Sequence, residues 1–432
     1  MATTYLTKTF GSAGTRTKYT ISVWVKRSKV GATQCIFSAG TGANNSMTIT
    51  FNGNDTLYWN SYSNNGSNYD YFLDTNRKFR DTSAWYHIVC AFDSTQSTSS
   101  NRMKIYINGV QETLFSTATY PGSYSDYAFN NILHEIGQDV GAGSRFFDGS
   151  MSHFYGIDGT AYAASTFGST DSTTGQWQIN TSPSVTYGNN GFFILKNGNS
   201  VTDQSGKGNN WSLGGGTLTN TKDCPDNVFC VLNFLDTTRV LSNGDTTYAG
   251  ASSGTVVKGT LGMLSGKYYA ECKILSAAQN MIGVLSIAQA PSTTYVGATA
   301  VGWGLFGDGT LYNNASSTSN FSGSFSNNDI MGIALDMDNN KLYFSKNGVF
   351  QNSGNPTSGA TGTGAVSITS GLTMTFCGGR DSSSDTANFN FGNGKFGTTA
   401  VSSAGTNASG NGIFEYDVPT GYTALSTKGL NS

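Results

Sequence analysis

Two carboxylates in the segment HEIGQDV, Glu135 and Asp139, have the residue types and the spacing of a catalytic pair. Side chains four residues apart on one strand point to the same face, so the two could act on one substrate. A glycosidase holds its acid and its nucleophile about 5 Å apart in a shaped cleft. The position between the two carboxylates is Gly137, and no second candidate pair occurs. We therefore expect solvated strand carboxylates and no enzyme, with a glycan-degrading enzyme as the alternative.

The other reactive residue types lie far apart or within apolar runs. Histidines occur in three strand-like segments, where we expect packed or edge residues: His87, His134 and His153. Cysteines within apolar runs are predicted to be buried thiols: Cys35, Cys90, Cys272 and Cys377. Cys224 and Cys230 are spaced C-x5-C with no histidine nearby, which makes a metal role the minority interpretation. The segment GNGKFG (392–397) matches G-x-G-x-x-G, but no helix follows to hold a pyrophosphate.

Aromatic residues among Asn, Ser and Gly are the more promising chemistry, because this mixture provides rigid contacts together with adaptable hydrogen bonds. The predicted loop at 58–74 carries Tyr62, Tyr69, Tyr71 and Phe72. A second cluster at 120–129 carries Tyr124 and Tyr127, and the loop GDGTLYNN carries Asp308, Tyr312 and Asn313. Sugar rings stack on such side chains, so we predict ligand-binding loops. The alternative is that half of the aromatics pack inward as loop anchors.

The composition indicates that β-structure positions these residues. Glycine accounts for 55 of 432 residues and charged residues for only 12%, compared with typical shares of about 7% and 25%. Clusters of Ser, Thr, Asn and Gly separate runs rich in Tyr, Phe, Val and Ile, which is typical of an all-β protein. The net charge is −2, and no basic block is longer than two residues. We therefore expect no nucleic-acid partner and no membrane insertion.

Strand patterns recur along most of the chain. In WYHIVCAFD (85–93) both alternating sets are apolar, which predicts a central strand of a sandwich. The phrases KIYINGV (104–110) and KLYFSKNGV (341–349) each end a β-rich run in Asn-Gly, the strongest short-range signal for a hairpin. Two such hairpins far apart in the chain predict two separate β-domains.

The second half resembles the SPRY domain. Its motifs occur in the family's order over about 160 residues: SGKYYAECKI (265–274), IGV (282–284), VGWGLFGDGTLYNN (301–314), DIMGIALDMDNNKLYFSKNGV (329–349), FNFGNGKF (389–396) and GYTALS (421–426). The resemblance implies a bent sandwich of two antiparallel sheets that acts as a protein-interaction module. Beside the loop GDGTLYNN, Trp303 in VGWG is predicted to be a core residue.

The first half resembles laminin-G and concanavalin A-like sandwiches, through YTISVWVKRS (19–28), WYHIVCAFD, KIYINGV and FDGSMSHFYGIDGTAY (147–162). The predicted organisation is a jelly-roll sandwich at 1–200, a loop-rich connector at 201–244 and a SPRY-like sandwich at 245–432. We expect no cofactor. The alternative is one structural calcium ion, because laminin-G-like domains often bind calcium through loop aspartates. The aspartates in or near predicted loops are Asp74, Asp81, Asp93, Asp126 and Asp148.

The pairing of the two modules, with the segments GSTDSTTGQWQIN (168–180) and DQSGKGNNW (203–211), is similar to virion proteins of tailed bacteriophages, especially marine ones. That resemblance implies a tail fibre or similar exterior appendage, assembled in the host cytoplasm, that contacts host-surface glycan or protein and other virion proteins. Uncovered strand edges predict a homo-oligomer. A capsid decoration or tail-assembly protein without a receptor role is the alternative.

Overall fold

The computed structural model describes residues 3–63, 68–196, 198, 200–250, 256–277, 279–290, 295–380 and 384–432. The chain divides into two compact units, Met1–Asn220 and Thr221–Ser432. Both units consist almost entirely of antiparallel β-structure, as the composition predicts. In the described residues, no helix is long and apolar enough to span a membrane.

The strands of the first unit follow one another with short turns. Their bounds are β1 Tyr5–Thr9, β2 Lys18–Arg27, β3 Gln34–Gly42, β4 Asn45–Phe51, β5 Leu57–Ser63, β6 Asn68–Thr75, β7 Tyr86–Asp93, β8 Met103–Ile107, β9 Val110–Gln111, β10 Phe115–Thr119, β11 Leu133–Ile136, β12 Gly149–Asp158, β13 Gly168–Thr170, β14 Trp177–Ile179, β15 Phe192–Ile194 and β16 Ser212–Gly215. Short 3-10 turns lie at Ser99–Asn101 and Ala164–Thr166.

Two large sheets of the first unit form a sandwich. In the described residues, an eight-stranded sheet has the order β10-β6-β5-β4-β3-β11-β1-β16, and a six-stranded sheet has the order β15-β12-β2-β7-β8-β9. Apolar side chains of both sheets meet in one core, for example Ile49 and Trp59 from the first and Val23 and Phe92 from the second. The strand at 85–93 is central, with a neighbour on each side, as predicted.

The outer face of the six-stranded sheet is covered by the segment that follows β12. Val89 and Tyr155 on that face pack with Phe167, Phe193 and Trp177 in a second apolar cluster. Both faces of β7 are therefore buried, which explains why its sequence is apolar at successive positions.

The second unit contains the remaining strands and one short helix. Their bounds are β17 Val240–Ser242, β18 Thr247–Ala249, β19 Val257–Lys258, β20 Lys267–Ser276, β21 Met281–Ser286, β22 Gly302–Phe306, β23 Leu311–Asn313, β24 Ser316–Thr318, β25 Ile330–Asp336, β26 Lys341–Lys346, β27 Val349–Phe350, β28 Val366–Ser367, β29 Met374–Gly378, β30 Thr386–Asn390, β31 Lys395–Phe396, β32 Thr399–Ala400, β33 Thr423–Ala424 and α1 Thr427–Leu430. Further 3-10 turns lie at Phe234–Asp236 and Pro356–Thr361.

This unit is also a two-sheet sandwich. One sheet has the order β17-β18-β30-β20-β25-β26-β27, with β28 on β26 and β33 on β20, and the other has the order β19-β29-β21-β22-β23-β24. The core includes Trp303, Ile333 and Phe389, so the predicted core position of Trp303 is confirmed. Glu271 on β20 is fully buried and accepts hydrogen bonds from the backbone N–H groups of Glu415 and Tyr416, both at 2.8 Å.

Both Asn-Gly phrases form tight hairpin turns, as predicted. Asn108 and Gly109 have φ values of +48° and +83°, and Asn347 and Gly348 have φ values of +47° and +82°. Positive φ at both central residues matches the right-handed twist of the flanking strands.

The segment at 201–244, predicted to be a loop-rich connector, is divided between the two units. Its first part belongs to the first unit, where β16 completes the eight-stranded sheet beside β1 and Trp211 enters the core. Its last part belongs to the second unit, where β17 pairs with β18. The edge strands β16 and β17 are short and mostly exposed, so their parts of the segment resemble a loop, whereas the run between them supplies buried residues: Phe229, Cys230, Val231 and Leu232.

Candidate functional site

The outer face of the eight-stranded sheet carries polar and aromatic side chains, of which Tyr69 is exposed, Tyr62 and Phe72 are half-buried, and Thr48, Asn60 and Asp74 are buried. On β4, Met47, Ile49 and Phe51 face the core, so Ser46, Thr48 and Thr50 face outward. The same alternation holds on the neighbouring strands β5 and β6, where Trp59, Tyr71 and Leu73 are the core side chains. The side chains between them therefore lie on the outer face, next to the β4 side chains with which they are paired.

Three rings on this face pack against one another and form what we call the aromatic patch: Tyr62, Tyr69 and Phe72. The ring centroids of Tyr62 and Tyr69 are 4.2 Å apart, and those of Tyr69 and Phe72 are 4.5 Å apart. Tyr69 is 40% exposed. Tyr58 supports the patch, with its ring edge-on to Phe72 at 5.8 Å.

The predicted loop at 58–74 is instead a β-hairpin, because β5 and β6 pair over most of this segment. Residues 64–67 of the segment lie outside the described residues. The misassignment has a physical reason: the outer face of the hairpin is polar and aromatic, so Asn, Ser and Tyr alternate with core residues in a pattern that resembles a loop.

Polar side chains lie beside the aromatic patch, at paired positions of neighbouring strands. Thr48, Asn60 and Phe72 are paired across β4, β5 and β6. The Thr48 hydroxyl donates to Asn60 Oδ1 at 2.9 Å. Asp74, paired with Tyr58, is buried, and its Oδ1 has no hydrogen-bond partner among the described residues. All three polar side chains are buried, so the rings of the aromatic patch are the part of this face that a ligand can contact.

The Glu135–Asp139 pair does not share a strand in the way that the sequence predicts. β11 ends at Ile136, and Gly137 with φ +84° turns the chain. Asp139 then lies in the following loop and forms an ion pair with Arg145 at 2.8 Å. Glu135 is also buried rather than solvated, and burial, with a smaller contribution from Asp139, raises the pKa of its carboxyl to about 7.

Tyr71, predicted as a binding residue, lies in the core instead. It is fully buried, and its hydroxyl donates to Asp126 Oδ2 at 2.6 Å. Tyr19 donates to the same carboxylate, and the backbone N–H of Tyr127 donates to Asp126 Oδ1 at 2.7 Å. Burial raises the pKa of Asp126 to about 6, although the hydrogen bonds from the two tyrosines lower it. The side chain of Tyr71 cannot reach a ligand from this position.

Tyr124 and Tyr127, the predicted binding residues of the second cluster, act mainly as anchors. Both are partly buried and pack against the core of the first unit. The Tyr124 hydroxyl donates to Asp70 Oδ2 at 2.9 Å, and the Tyr127 hydroxyl donates to Asn45 Oδ1 at 3.3 Å. The predicted binding aromatics therefore fall into two groups. Tyr62, Tyr69 and Phe72 come together on one face, whereas Tyr124 and Tyr127 hold the 120–129 segment in place.

The predicted site residues of the second unit lie around the β22–β23 turn. Asp308 is exposed, and its carboxylate accepts from the backbone N–H of Thr310 at 2.8 Å, which stabilises the turn. Tyr312 is partly buried against Tyr295, with ring centroids 5.5 Å apart. The Asn313 side chain donates to Gly302 O at 2.8 Å. Asp308 and Asn313 thus hold the local backbone.

A buried serine–histidine pair was not identified from the sequence. Ser22 Oγ lies 2.9 Å from His87 Nε2, while the indole N–H of Trp177 donates to His87 Nδ1 at 3.0 Å. Because Nδ1 accepts, the proton of a neutral ring is on Nε2, which then donates to Ser22 and cannot accept its proton. Burial lowers the pKa of His87 to about 3 and keeps the ring neutral. All three histidines are buried, as predicted for packed residues.

The cysteines predicted to be buried thiols are confirmed as such, and Cys230 is buried as well. The described residues contain no group of three or more His, Cys, Asp or Glu side chains that could hold a metal ion. Among the candidate calcium ligands, Asp126 faces tyrosine hydroxyls, and Asp93 accepts from the hydroxyl of Thr95 and the side-chain amide of Gln96. These two aspartates already have protein donors, and we derive no role for calcium.

Comparison with known proteins assigns a fold family to each unit. Residues 2–155 match the concanavalin A-like lectin/glucanases superfamily, and residues 267–392 match the SPRY domain family. The chain carries a concanavalin A-like domain and a SPRY domain. The two matches suggest a binding or adhesion-type module, and the aromatic patch lies on the concanavalin A-like domain.

Several solved structures are similar to the SPRY domain. The SPRY domain of human HERC1 is 18% identical, with 37% of this chain and 96% of that chain covered and a TM-score of 0.31. The TRIM65 PSpry domain is 14% identical, with 37% and 88% covered and a TM-score of 0.30. A human SPRY domain is 16% identical, with 33% and 90% covered and a TM-score of 0.26. A comparison with curated proteins finds no match.

Proposed function

We propose that this protein is a non-enzymatic adhesin on the exterior of a tailed-bacteriophage virion, as part of a tail fibre or similar appendage, and that it binds host-surface glycan. The aromatic patch on the outer face of the eight-stranded sheet is the observation that carries the proposal. Tyr69 is the most exposed ring of the patch, and the buried side chains of Asn60 and Thr48 support the sheet beside Phe72. Sugars present an apolar C–H face, which matches a surface of aromatic rings.

The low charge of the chain favours this assignment. Charged residues make up 12% of the sequence, so contacts with the ligand rest on aromatic, amide and hydroxyl groups and are individually weak. Weak sites become effective when several copies are displayed together. We accordingly propose a homo-oligomer in which β10, an edge strand with exposed Ser, Thr and Ala side chains, contributes to subunit contacts. Other virion proteins are the proposed partners of the SPRY domain.

A binding assay with matched variants tests the adhesin assignment. The purified full chain is labelled and its binding to intact candidate host cells is measured, together with Tyr69→Ala and the control Tyr312→Ala. Tyr69→Ala should weaken binding about tenfold, because central tyrosines dominate such interfaces. Tyr312→Ala removes a partly buried aromatic from the SPRY domain and should leave cell binding unchanged.

Three outcomes would contradict the proposal. Equal binding of Tyr69→Ala and the unmodified protein would exclude the aromatic patch as the receptor site. Binding only to virions that lack this protein, and to no cells, would instead favour a capsid decoration or tail-assembly protein. Release of reducing sugars from host polysaccharide would contradict the non-enzymatic assignment.

A further inference from the structure

Asn-Gly pairs are the places in this chain where the backbone itself can act as a nucleophile. Because glycine has no side chain, its amide nitrogen can approach the side-chain carbonyl carbon of the preceding asparagine closely. The pairs begin at Asn52, Asn65, Asn108, Asn190, Asn197, Asn243, Asn347, Asn393 and Asn411. Asn65 and Asn197 lie outside the described residues. The other pairs differ in how the asparagine side chain is held.

In most of these pairs, hydrogen bonds to other parts of the chain keep the reacting groups apart. The side-chain oxygens of Asn108 and Asn347 each accept from a backbone N–H group of a neighbouring strand. The Gly394 N–H, which follows Asn393, donates to Asn390 Oδ1 at 3.1 Å. In three further pairs the side-chain nitrogen donates elsewhere in the chain: Asn190, Asn243 and Asn411. An amide held in this way does not turn toward the nitrogen that would attack it.

Asn52 is the exception among the described pairs, because its side chain turns toward its own successor. The Gly53 N–H donates to Asn52 Oδ1 at 2.8 Å. Oδ1 is about 1.23 Å from the side-chain carbonyl carbon, so that carbon lies within about 4 Å of the glycine nitrogen. A small rotation of the side chain then brings the two reacting atoms into contact. Gly53 is exposed, so water and base reach the site.

We propose that Asn52 is a site of spontaneous deamidation through a cyclic imide formed with Gly53. The glycine nitrogen loses its proton to base and attacks Cγ of Asn52. The new C–N bond closes the ring, and the side-chain amide group leaves as ammonia. Water then opens the ring at either carbonyl carbon, which gives aspartate, or isoaspartate with an extra carbon in the main chain. The overall reaction consumes water, releases ammonia and adds a negative charge.

The position of Asn52 makes this modification important for the local structure. Asn52 begins the turn between β4 and β5, where its N–H donates to Thr56 O at 2.8 Å and its carbonyl oxygen accepts from the Asp55 N–H at 2.9 Å. The Asp55 carboxylate accepts from Arg27 at 3.1 Å and from Arg80 at 3.0 Å. An extra main-chain carbon changes the spacing of the two backbone bonds, so isoaspartate should loosen the turn that holds both arginines.

Peptide mapping by mass spectrometry tests the proposal on the full-length protein, incubated at mildly alkaline pH and digested at acidic pH. Asn52 should convert at least about tenfold faster than Asn108 or Asn347, whose side chains are held by other groups. Fragmentation of the main chain beside residue 52 should identify isoaspartate together with aspartate. In protein unfolded with urea, the three asparagines should convert at similar rates, because glycine follows each of them.

The variant Gly53→Ala separates the cyclic imide from direct hydrolysis of the amide. An alanine Cβ at this position would meet Thr33 Oγ1 at 3.6 Å, which is ordinary contact, so the variant should fold normally. Its methyl group hinders the attack and should slow conversion of Asn52 at least about tenfold. The control Gly122→Ala, which places a Cβ in open space, should leave the rate unchanged.

Three results would overturn the proposal. The first is conversion of Asn52 in the folded protein that is no faster than conversion of Asn108 and Asn347. The second is an unaltered rate at Asn52 in Gly53→Ala. The third is aspartate as the only product, because direct hydrolysis gives no isoaspartate.

Discussion

Replacing Asp126 by asparagine should change how the stability of the concanavalin A-like domain depends on pH. The Asp126 side chain is fully buried. One of its oxygens accepts from the hydroxyls of Tyr19 and Tyr71, and the other accepts from the Tyr127 backbone N–H at 2.7 Å. The substitution keeps the shape of the side chain and removes its charge.

The sign of the pH dependence follows from the direction of the pKa shift. Burial raises the pKa of Asp126 from an ordinary value of 3.8 to about 6. Between these values the folded state binds more protons than the unfolded state, so the free energy of unfolding falls as the pH rises. Two pKa units correspond to about 3 kcal/mol, lost between about pH 4 and pH 6. Burial raises the pKa of Glu135 to about 7, which extends the decline of the unmodified protein.

The free energy of unfolding of the Asp126→Asn variant, plotted against pH, should cross that of the unmodified protein. Either orientation of its amide leaves at least one buried donor without an acceptor, at a cost of about 1–3 kcal/mol. At about pH 4 the unmodified protein carries a neutral Asp126, and we expect the variant to be less stable by about 2 kcal/mol. At about pH 8 the unmodified protein carries a buried charge and has lost about 3 kcal/mol, so the difference should reverse and the variant should be the more stable protein by about 1 kcal/mol.

Urea unfolding followed by tryptophan fluorescence at about pH 4, 6 and 8 measures these differences. The concanavalin A-like domain contains most of the tryptophans: Trp24, Trp59, Trp85, Trp177 and Trp211. Asp70→Asn is the matched control, because Asp70 also accepts a tyrosine hydroxyl, from Tyr124 at 2.9 Å, but is only partly buried. Parallel stability curves for Asp126→Asn and the unmodified protein over this range would refute the reasoning.

Two further predictions concern one turn and one buried acid. Gly109→Ala should lower the free energy of unfolding of the concanavalin A-like domain by about 3 kcal/mol, because φ at Gly109 is +83° and a Cβ would lie 2.4 Å from the Trp177 ring. Gly31→Ala, at φ +71° with open space around it, should lose only about 1 kcal/mol in the same urea titration. Burial raises the pKa of Glu271 from 4.5 to about 7, so amide protection in Lys267–Ser276 should fall as the pH rises through this range. Hydrogen exchange corrected for intrinsic rates measures it, and Glu271→Gln should flatten the dependence.

The fold could be predicted from the sequence where both faces of a strand are buried, or where a turn requires residues that tolerate positive φ. The strand at 20–27 lies within β2, and the strand at 85–93 overlaps β7, because apolar residues at successive positions are typical of central strands. The outer strands of the eight-stranded sheet were harder to recognise. Strand β10, with the sequence FSTAT, is mostly exposed, and its small polar side chains are equally common in loops.

The candidate site could be predicted only in part, because composition identifies aromatic residues but not the face on which each one lies. Tyr71 and Phe72 are adjacent, yet one is fully buried and the other reaches the outer surface, since successive side chains of a strand point to opposite sides. Assigning 58–74 to a loop removed that alternation. When β5 and β6 are treated as a hairpin, the alternation places Tyr71 inside and Phe72 on the outer face.

The repeated Asn-Gly phrase has a physical explanation that requires no duplication of an ancestral domain. The Asn108 N–H donates to the carbonyl oxygen of His87 at 2.9 Å, and its side-chain oxygen accepts from the His87 N–H at 2.8 Å. Asn347 forms the same two bonds with Ile330, at 2.8 and 2.9 Å. In both domains, therefore, one asparagine turns the chain with a positive φ and also pairs backbone groups at the start of the neighbouring strand. Few other side chains meet both demands, so unrelated hairpins beside a third strand converge on the same residue.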